Sequence, residues 1–294
     1  MPRSRLITLM VGAALALLSS CARVDPTQEQ PFKPLRWAVY YDNTIAAEHF
    51  NDYDLLIFDR EHYPPFAKIK EKTTILAYIS IGELHGHSEA KEALKEKDLL
   101  IDENPTWGSY VVDITAPFWH EKILAKVADA KAKGFDGVML DTLDSPLHWA
   151  ESQSEEKRQE IEDAAVALVA TIRETHPDLR LALNRGFRLL PRLVPHIDYA
   201  IAESIYSKTD VSSGQFELFP TTTYAELVDG LRLAKTASPD LQILTLDYWA
   251  MDDVEGVLKI YAAQRANGFS PYVTTPDLRQ LTHEPRSDAA EVNP

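Results

Sequence analysis

Asp141 and Asp144 stand three residues apart, just after the apolar run Val138-Met139-Leu140, which reads as a strand buried on both faces. A helical stretch, Pro117 to Lys133, ends just before it at Gly134, which can take the left-handed cap conformation. In an α/β barrel, an acid at the C-terminal end of a strand points into the active-site mouth. The pattern recurs along the chain. Asp42, Asp59, Glu83, Glu203 and Asp247 each follow a strand-like run, and Asn184-Arg185-Gly186 follows another. Among these strand-end groups only Arg185 opposes the carboxylates. Paired carboxylates across a sugar-sized gap are the equipment of glycoside hydrolysis: one donates a proton and the other attacks or activates water.

Aromatic residues are interleaved with the acids: Tyr41, Tyr78, Trp107, Trp149, Tyr206, Tyr248 and Trp249. Flat rings beside carboxylates suit sugars, whose C–H faces are apolar. Trp149 and Trp249 lie a few residues beyond strand-end acids. The connection from Ser204 to Thr222, with Ser212-Ser213-Gly214 inside it, is long enough for a lid over such a site. Metal chemistry is less well supported. His85-Gly86-His87 has no obvious third histidine, and Asp141-x-x-Asp144 lacks the oxygen spacing of a cation loop. No metal or cofactor is expected. No serine sits in a nucleophile-elbow pattern.

These residues need a frame. Strand-like runs fall at Trp37–Tyr41, Leu55–Asp59, Thr74–Ile81, Gly137–Asp141, Arg180–Asn184, Tyr199–Glu203, Gln242–Asp247 and Pro271–Thr275. Helical patterns lie between several of them: Ser88–Glu96, Pro117–Lys133, Glu155–His176, Thr223–Ala237 and Asp252–Asn267. Glu155–His176 carries Ile161, Ala165, Leu168, Val169 and Ile172 on one stripe. Eight parallel-type strands with crossover helices predict an α/β fold, a single-domain (β/α)8 TIM barrel. Tyr110–Ile114 is a ninth strand-like piece, assigned to an excursion in the third connection. A doubly wound sheet would call for a glycine-rich loop after the first strand, and Tyr41-Asp42-Asn43-Thr44 offers none.

The ends read differently. Arg3 and Arg5, the apolar stretch Leu6 to Leu18 and Leu18-Ser19-Ser20-Cys21 make residues 1–20 a lipoprotein signal peptide, too short to span a membrane comfortably. Cys21, the sole cysteine, becomes the lipidation site, and Ala22 after it favours the outer membrane. Residues 21–36 form a lipidated tether, 37–276 the catalytic domain and 277–294 a polar tail expected to be loose at its end. The formal net charge is −15 and falls by two more once Arg3 and Arg5 are removed. Such a surface repels phosphate backbones, so nucleic acid is not an expected partner. The protein is expected to be a monomer, touching the membrane only through its lipid.

Six segments occur in order: Tyr78-Ile79-Ser80-Ile81-Gly82-Glu83, Gly134 through Asp144, Asn184-Arg185-Gly186, Glu203-Ser204-Ile205-Tyr206, Leu246-Asp247-Tyr248 and Gly268-Phe269-Ser270-Pro271-Tyr272-Val273. Together they resemble the endo-α-1,4-polygalactosaminidases of glycoside hydrolase family 114 and the related hydrolase domain of Pel exopolysaccharide proteins. The resemblance covers Trp37 to Thr275. It implies a barrel that cleaves α-1,4-linked galactosamine or N-acetylgalactosamine polymers internally, with Asp141 and Glu203 as the catalytic acids. By analogy with retaining barrel α-galactosidases, Asp141 would be the nucleophile and Glu203 the acid/base. Tyr41, Asp42, Asp59, Tyr78, Glu83, Asp144, Trp149, Asn184, Arg185, Tyr206, Asp247, Tyr248 and Trp249 would then contact substrate. Relatives often carry a small residue where Arg185 stands, which bears on subsite shape. The alternative expectation is a barrel that binds the polysaccharide without cutting it.

Overall fold

The computed structural model describes residues 32–210 and 213–286. The signal segment, Cys21 and most of the tether lie outside the described residues, as does the end of the tail. Eight parallel strands form one sheet: β1 (Trp37–Tyr40), β2 (Leu55–Phe58), β3 (Thr74–Ser80), β4 (Gly137–Asp141), β5 (Arg180–Asn184), β6 (Tyr199–Glu203), β7 (Gln242–Tyr248) and β8 (Ser270–Thr274). Their order in the sheet is their order in the chain, the arrangement of a (β/α)8 barrel. Each boundary falls within a residue or two of the sequence expectation, the ordinary spread at element ends.

Among the described residues no ladder joins β8 back to β1. That seam is stitched by the Trp37 indole N–H donating to the Ser270 carbonyl at 2.8 Å and by the Leu35 N–H donating to the Ser270 hydroxyl at 3.0 Å. The rings of Trp37 and Tyr272 meet across it at 5.7 Å. Residues 277–286 then run back along the barrel where an eighth helix would lie. The Leu278 carbonyl accepts from the Tyr41 N–H, Thr282 bonds Val273 and Tyr53, and Glu284 takes two bonds from Arg265.

The outer layer is uneven. Helices Pro117–Ala132, Glu155–Thr175, Thr221–Ala237 and Val254–Ala266 follow β3, β4, β6 and β7, whereas the first two connections contain only single turns at Ala47–Phe50 and Phe66–Lys68. Helix Glu155–Thr175 buries the expected stripe, Ile161 through Ile172, against the sheet, and the Ser154 hydroxyl caps its start, a contact that satisfies an otherwise orphaned N–H. The helix expected at Ser88–Glu96 shrinks to Lys91–Lys95. Leu94 is its one buried residue, so there is little packing to extend it. No described helix is long and apolar enough to cross a membrane.

Two excursions rise from the catalytic end. The third connection builds a small antiparallel sheet from Glu83–His85, Leu100–Asn104 and Ser109–Val112. The ninth strand expected in that connection is therefore one of three. The long sixth connection folds into a hairpin of Ser207–Asp210 against Gln215–Leu218.

Candidate active site

Strand register brings the central residues together. Ser80 pairs with Asp141 and Leu140 with Leu183, so Asp141 at the end of β4 lies beside Asn184 at the end of β5. Asn184 pairs with Ile201, two residues before Glu203, and Glu203 pairs with Leu246, two before Tyr248. Side chains two apart share a face, so Glu203 and Tyr248 point inward with Asn184.

The Asn184 amide nitrogen donates to both acids, to Asp141 Oδ1 at 2.8 Å and to Glu203 Oε2 at 2.6 Å. Those oxygens are therefore no more than about 5.4 Å apart, and about 4.7 Å apart at the 120° spread of an amide's two N–H bonds. Two acceptors facing one group leave a single orientation for the amide. Its Oδ1 is buried without a donor among the described residues. An orphaned acceptor lowers stability, as expected of a residue placed for the acids.

Tyrosines complete the ring around the acids. The Tyr248 hydroxyl donates to Glu203 Oε1 at 2.7 Å, and the Tyr78 hydroxyl bonds Asp141. The Tyr41 ring meets Tyr78 at a tilt of 58°, with ring centres 5.0 Å apart, and its hydroxyl rests on the Met139 sulfur. Burial first, and the neighbouring acids next, hold Tyr78 and Tyr248 far above the ordinary phenol range. Both remain hydrogen-bond donors. Burial and then the Glu203 carboxylate push Asp141 up to about 6, against the pull of Asn184, the Thr142 N–H and Tyr78. Two close carboxyls in such a site hold one proton over a range where exposed acids have lost theirs.

The chain bends sharply behind each central residue. Thr142, Arg185 and Ser204 have φ of 67°, 58° and 53°, left-handed values that cost a non-glycine residue roughly 1–2 kcal/mol. Thr142 offsets part of this cost with its side chain, which accepts from the Gly82 N–H at 2.9 Å and bonds Ser80 at 2.8 Å. Arg185 uses its turn to reach two groups. Its Nε donates to Asp144 at 2.6 Å and its Nη1 to the Glu203 carbonyl at 2.8 Å, while Asp144 also accepts from the Gly186 N–H. Asp144 and Arg185, each expected to contact substrate, thus form an ion pair.

Other residues expected to contact substrate are engaged in contacts within the protein. Asp247 is fully buried on the opposite face of β7 from Tyr248, where it accepts from the Tyr206 and Ser207 N–H groups, the Ser207 hydroxyl and Gln264. Strand alternation turns it outward, and it anchors the hairpin to the helix layer. Glu83 is also buried, receiving Asn104 at 2.9 Å, Ser109 at 2.5 Å and Ser145, which ties the small sheet to the loop after β4. Asp42 bonds the N–H of Asn43, and Asp59 closes a turn onto the Glu61 and His62 N–H groups. The Trp249 indole bonds Asp253 and its ring meets Phe216 of the hairpin; Tyr206 packs edge-on against Tyr224. Trp149 is half-buried in the short helix Asp144–Ala150 and packs on the core. Ser109, Asn104, Ser145, Ser207 and Gln264 carried no signal in the sequence, because small polar residues gain their roles only from the acid they meet. Among the described residues, no three His, Cys, Asp or Glu side chains gather to hold a metal ion.

The fold is shared with solved glycoside hydrolase barrels. The glycoside hydrolase domain of PelA from Pseudomonas aeruginosa superposes with a TM-score of 0.74 at 28% identity, over 85% of this chain and 98% of that domain. Ega3 of Aspergillus fumigatus, solved with galactosamine, shares the fold with a TM-score of 0.59 at 14% identity, over 85% of this chain and 95% of that one. An uncharacterized Thermotoga maritima protein is 24% identical over 301 residues, 92% of this chain and 90% of that protein. Residues 19–291 match the pattern of a single family. On that match, and with an acid pair held at the barrel mouth, the chain belongs to glycoside hydrolase family GH114 and is a glycoside hydrolase.

Proposed function

We propose that this chain cleaves α-1,4-linked galactosamine or N-acetylgalactosamine polymers internally, with retention of configuration, through Asp141 as nucleophile and Glu203 as acid/base. The observation that carries the reading is the one amide nitrogen bonded to both acids, with their oxygens within about 5.4 Å. Retaining enzymes hold their carboxyls about 5–5.5 Å apart; inverting ones need about 6.5–9.5 Å to admit water between them. Asp141, with three donors favouring its charged form, attacks the anomeric carbon. The bond to the leaving sugar breaks as Glu203 gives its proton to the departing oxygen. Glu203 then takes a proton from water, the water oxygen attacks the same carbon, and the bond to Asp141 breaks. An ammonium on the substrate favours ionised Asp141 and suits the acidic surface. Tyr41, Tyr78, Trp149 and the Asp144–Arg185 pair then shape the subsites. The sequence of residues 1–21 supports anchoring to the outer membrane through Cys21, with the enzyme acting as a monomer on exopolysaccharide.

The test is product formation from acetylated and partly deacetylated α-1,4-galactosamine oligomers by the wild type, Asp141→Asn and Glu203→Gln, with NMR of the first-formed anomer. Cleavage to the α-anomer, lost in both variants while binding persists, is the expected result. A β-anomer would sink the retaining assignment, and binding without turnover in all three would make the chain a polysaccharide-binding protein.

A further inference from the structure

The small sheet of the third connection carries a feature that the acid pair does not use. Against the sheet lies an open cavity of about 250 Å³ lined by Gly86, His87, Lys91, Glu103, Asn104 and Tyr110. Beside it, at the turn joining two of the strands, stands Trp107. It is 58% exposed, and among the described residues it is the one tryptophan left in solvent. Its sequence neighbours Pro105 and Gly108 both line the cavity. Gly108 takes φ of 60°, and the Gly86 N–H bonds its carbonyl at 2.9 Å, so the turn is held in place.

We infer that this cavity and Trp107 form a second carbohydrate subsite, separate from the cleavage point, that grips one hexosamine unit of the polymer. The inference rests on the proposed substrate class. Its chemistry fits. An indole face exposed beside a polar cavity suits the C–H face of a sugar ring. Glu103 accepts from ring hydroxyls, and the Lys91 ammonium, held over the Tyr110 ring at 4.4 Å and bonded to its hydroxyl at 2.9 Å, donates to them. The volume lies just below the roughly 300 Å³ at which drug-sized ligands begin to fit, enough for a single ring. The placement fits as well. The same Asn104 that lines the cavity donates to Glu83, which also receives Ser145, four residues beyond Asp141. The subsite is thus built onto the catalytic face. On this inference a short oligomer occupies the acid pair alone, whereas a long chain occupies both places and stays bound between cuts.

The experiment compares the full chain with Trp107→Ala, Trp107→Phe and Glu103→Gln, on long galactosamine polymer and on short oligomers. Trp107 is exposed, so its replacement leaves the core untouched, and melting curves check the fold. Expected is a rise of about ten-fold in KM for polymer with Trp107→Ala, the loss of one ring-sized apolar contact. Phe retains most of the affinity, and kcat/KM on short oligomers is unchanged. Unchanged polymer KM in Trp107→Ala and Glu103→Gln overturns the subsite while leaving the proposed activity intact. An equal loss on short oligomers also overturns it, placing Trp107 in the main cleft. No cleavage or binding of either substrate by the wild type removes the substrate reading, and this inference falls with it.

Discussion

Replacing Asp141, the proposed nucleophile, should make this protein more stable, and by an amount that depends on pH. Asp141 titrates near 6 in the folded chain, against an ordinary 3.8. The folded state therefore holds that proton more tightly than the unfolded state does. Below about pH 4 the carboxyl is protonated in both states and folding is not penalised. As pH rises through 6 the folded protein must ionise a buried acid beside Glu203, and stability falls. The full penalty is about 3 kcal/mol for a shift of this size, and about 1–3 kcal/mol once the side chain's partial exposure is allowed for. Asp141→Asn removes the titration while keeping an oxygen for the Asn184 amide. Melting curves of the wild type and Asp141→Asn at pH 4 and pH 8 measure it. The variant should gain about 3–9 °C at pH 8 and show little gain at pH 4. A gain independent of pH, or a loss at pH 8, would refute the claim that burial and the Glu203 charge are what raise Asp141. The same titration predicts that kcat/KM of the wild type falls as pH rises through about 6, as the pair loses the one proton that Glu203 must donate.

Three further outcomes follow from the geometry. Asn184→Ala strips one shared donor from two acids; kcat should fall about 100-fold with little change in KM, and the alkaline limb of the pH profile should move to higher pH, whereas an unmoved limb would deny the bridge its role. Glu83→Ala leaves Asn104, Ser109 and Ser145 without their acceptor and should cost about 2–4 kcal/mol in denaturant unfolding; a loss under 1 kcal/mol would show that the small sheet holds itself. Ser204→Gly should be neutral or stabilising by up to about 1 kcal/mol, since glycine adopts φ of 53° freely, while Ser204→Val should lose about 2 kcal/mol. Equal effects of the two, read from melting curves, would mean the turn stores no strain.

The frame was legible because barrel strands buried on both faces leave dense apolar runs. Val138 to Leu140 and Leu181 to Leu183 can hardly be anything else, and the stripe from Ile161 to Ile172 declares its helix. The acids could be seen but not sorted. Each lies beside a strand end, yet one residue of phase decides whether it faces the mouth or the helix layer, and Asp247 lies on the wrong side of that alternation. Glu83 failed for another reason: its partners lie some twenty and sixty residues away, and nothing local announces them. Asn184 was expected at the site as a hydroxyl binder. Its place between two carboxylates depends on the register of three strands, which no single segment encodes.

The stitched seam between β8 and β1 joins the two ends of the barrel domain, while Asp141, Asn184 and Glu203 sit on three consecutive strands on the far side. Local opening needs fewest main-chain bonds broken where no ladder exists, so breathing of this barrel is expected to begin at its seam and tail. The acid pair belongs to the half that opens last. A ribosome would finish β4 to β6 well before the final strand emerges, and this half can pair its strands before the circle closes. The fold thus keeps its weakest join as far from its chemistry as a ring allows.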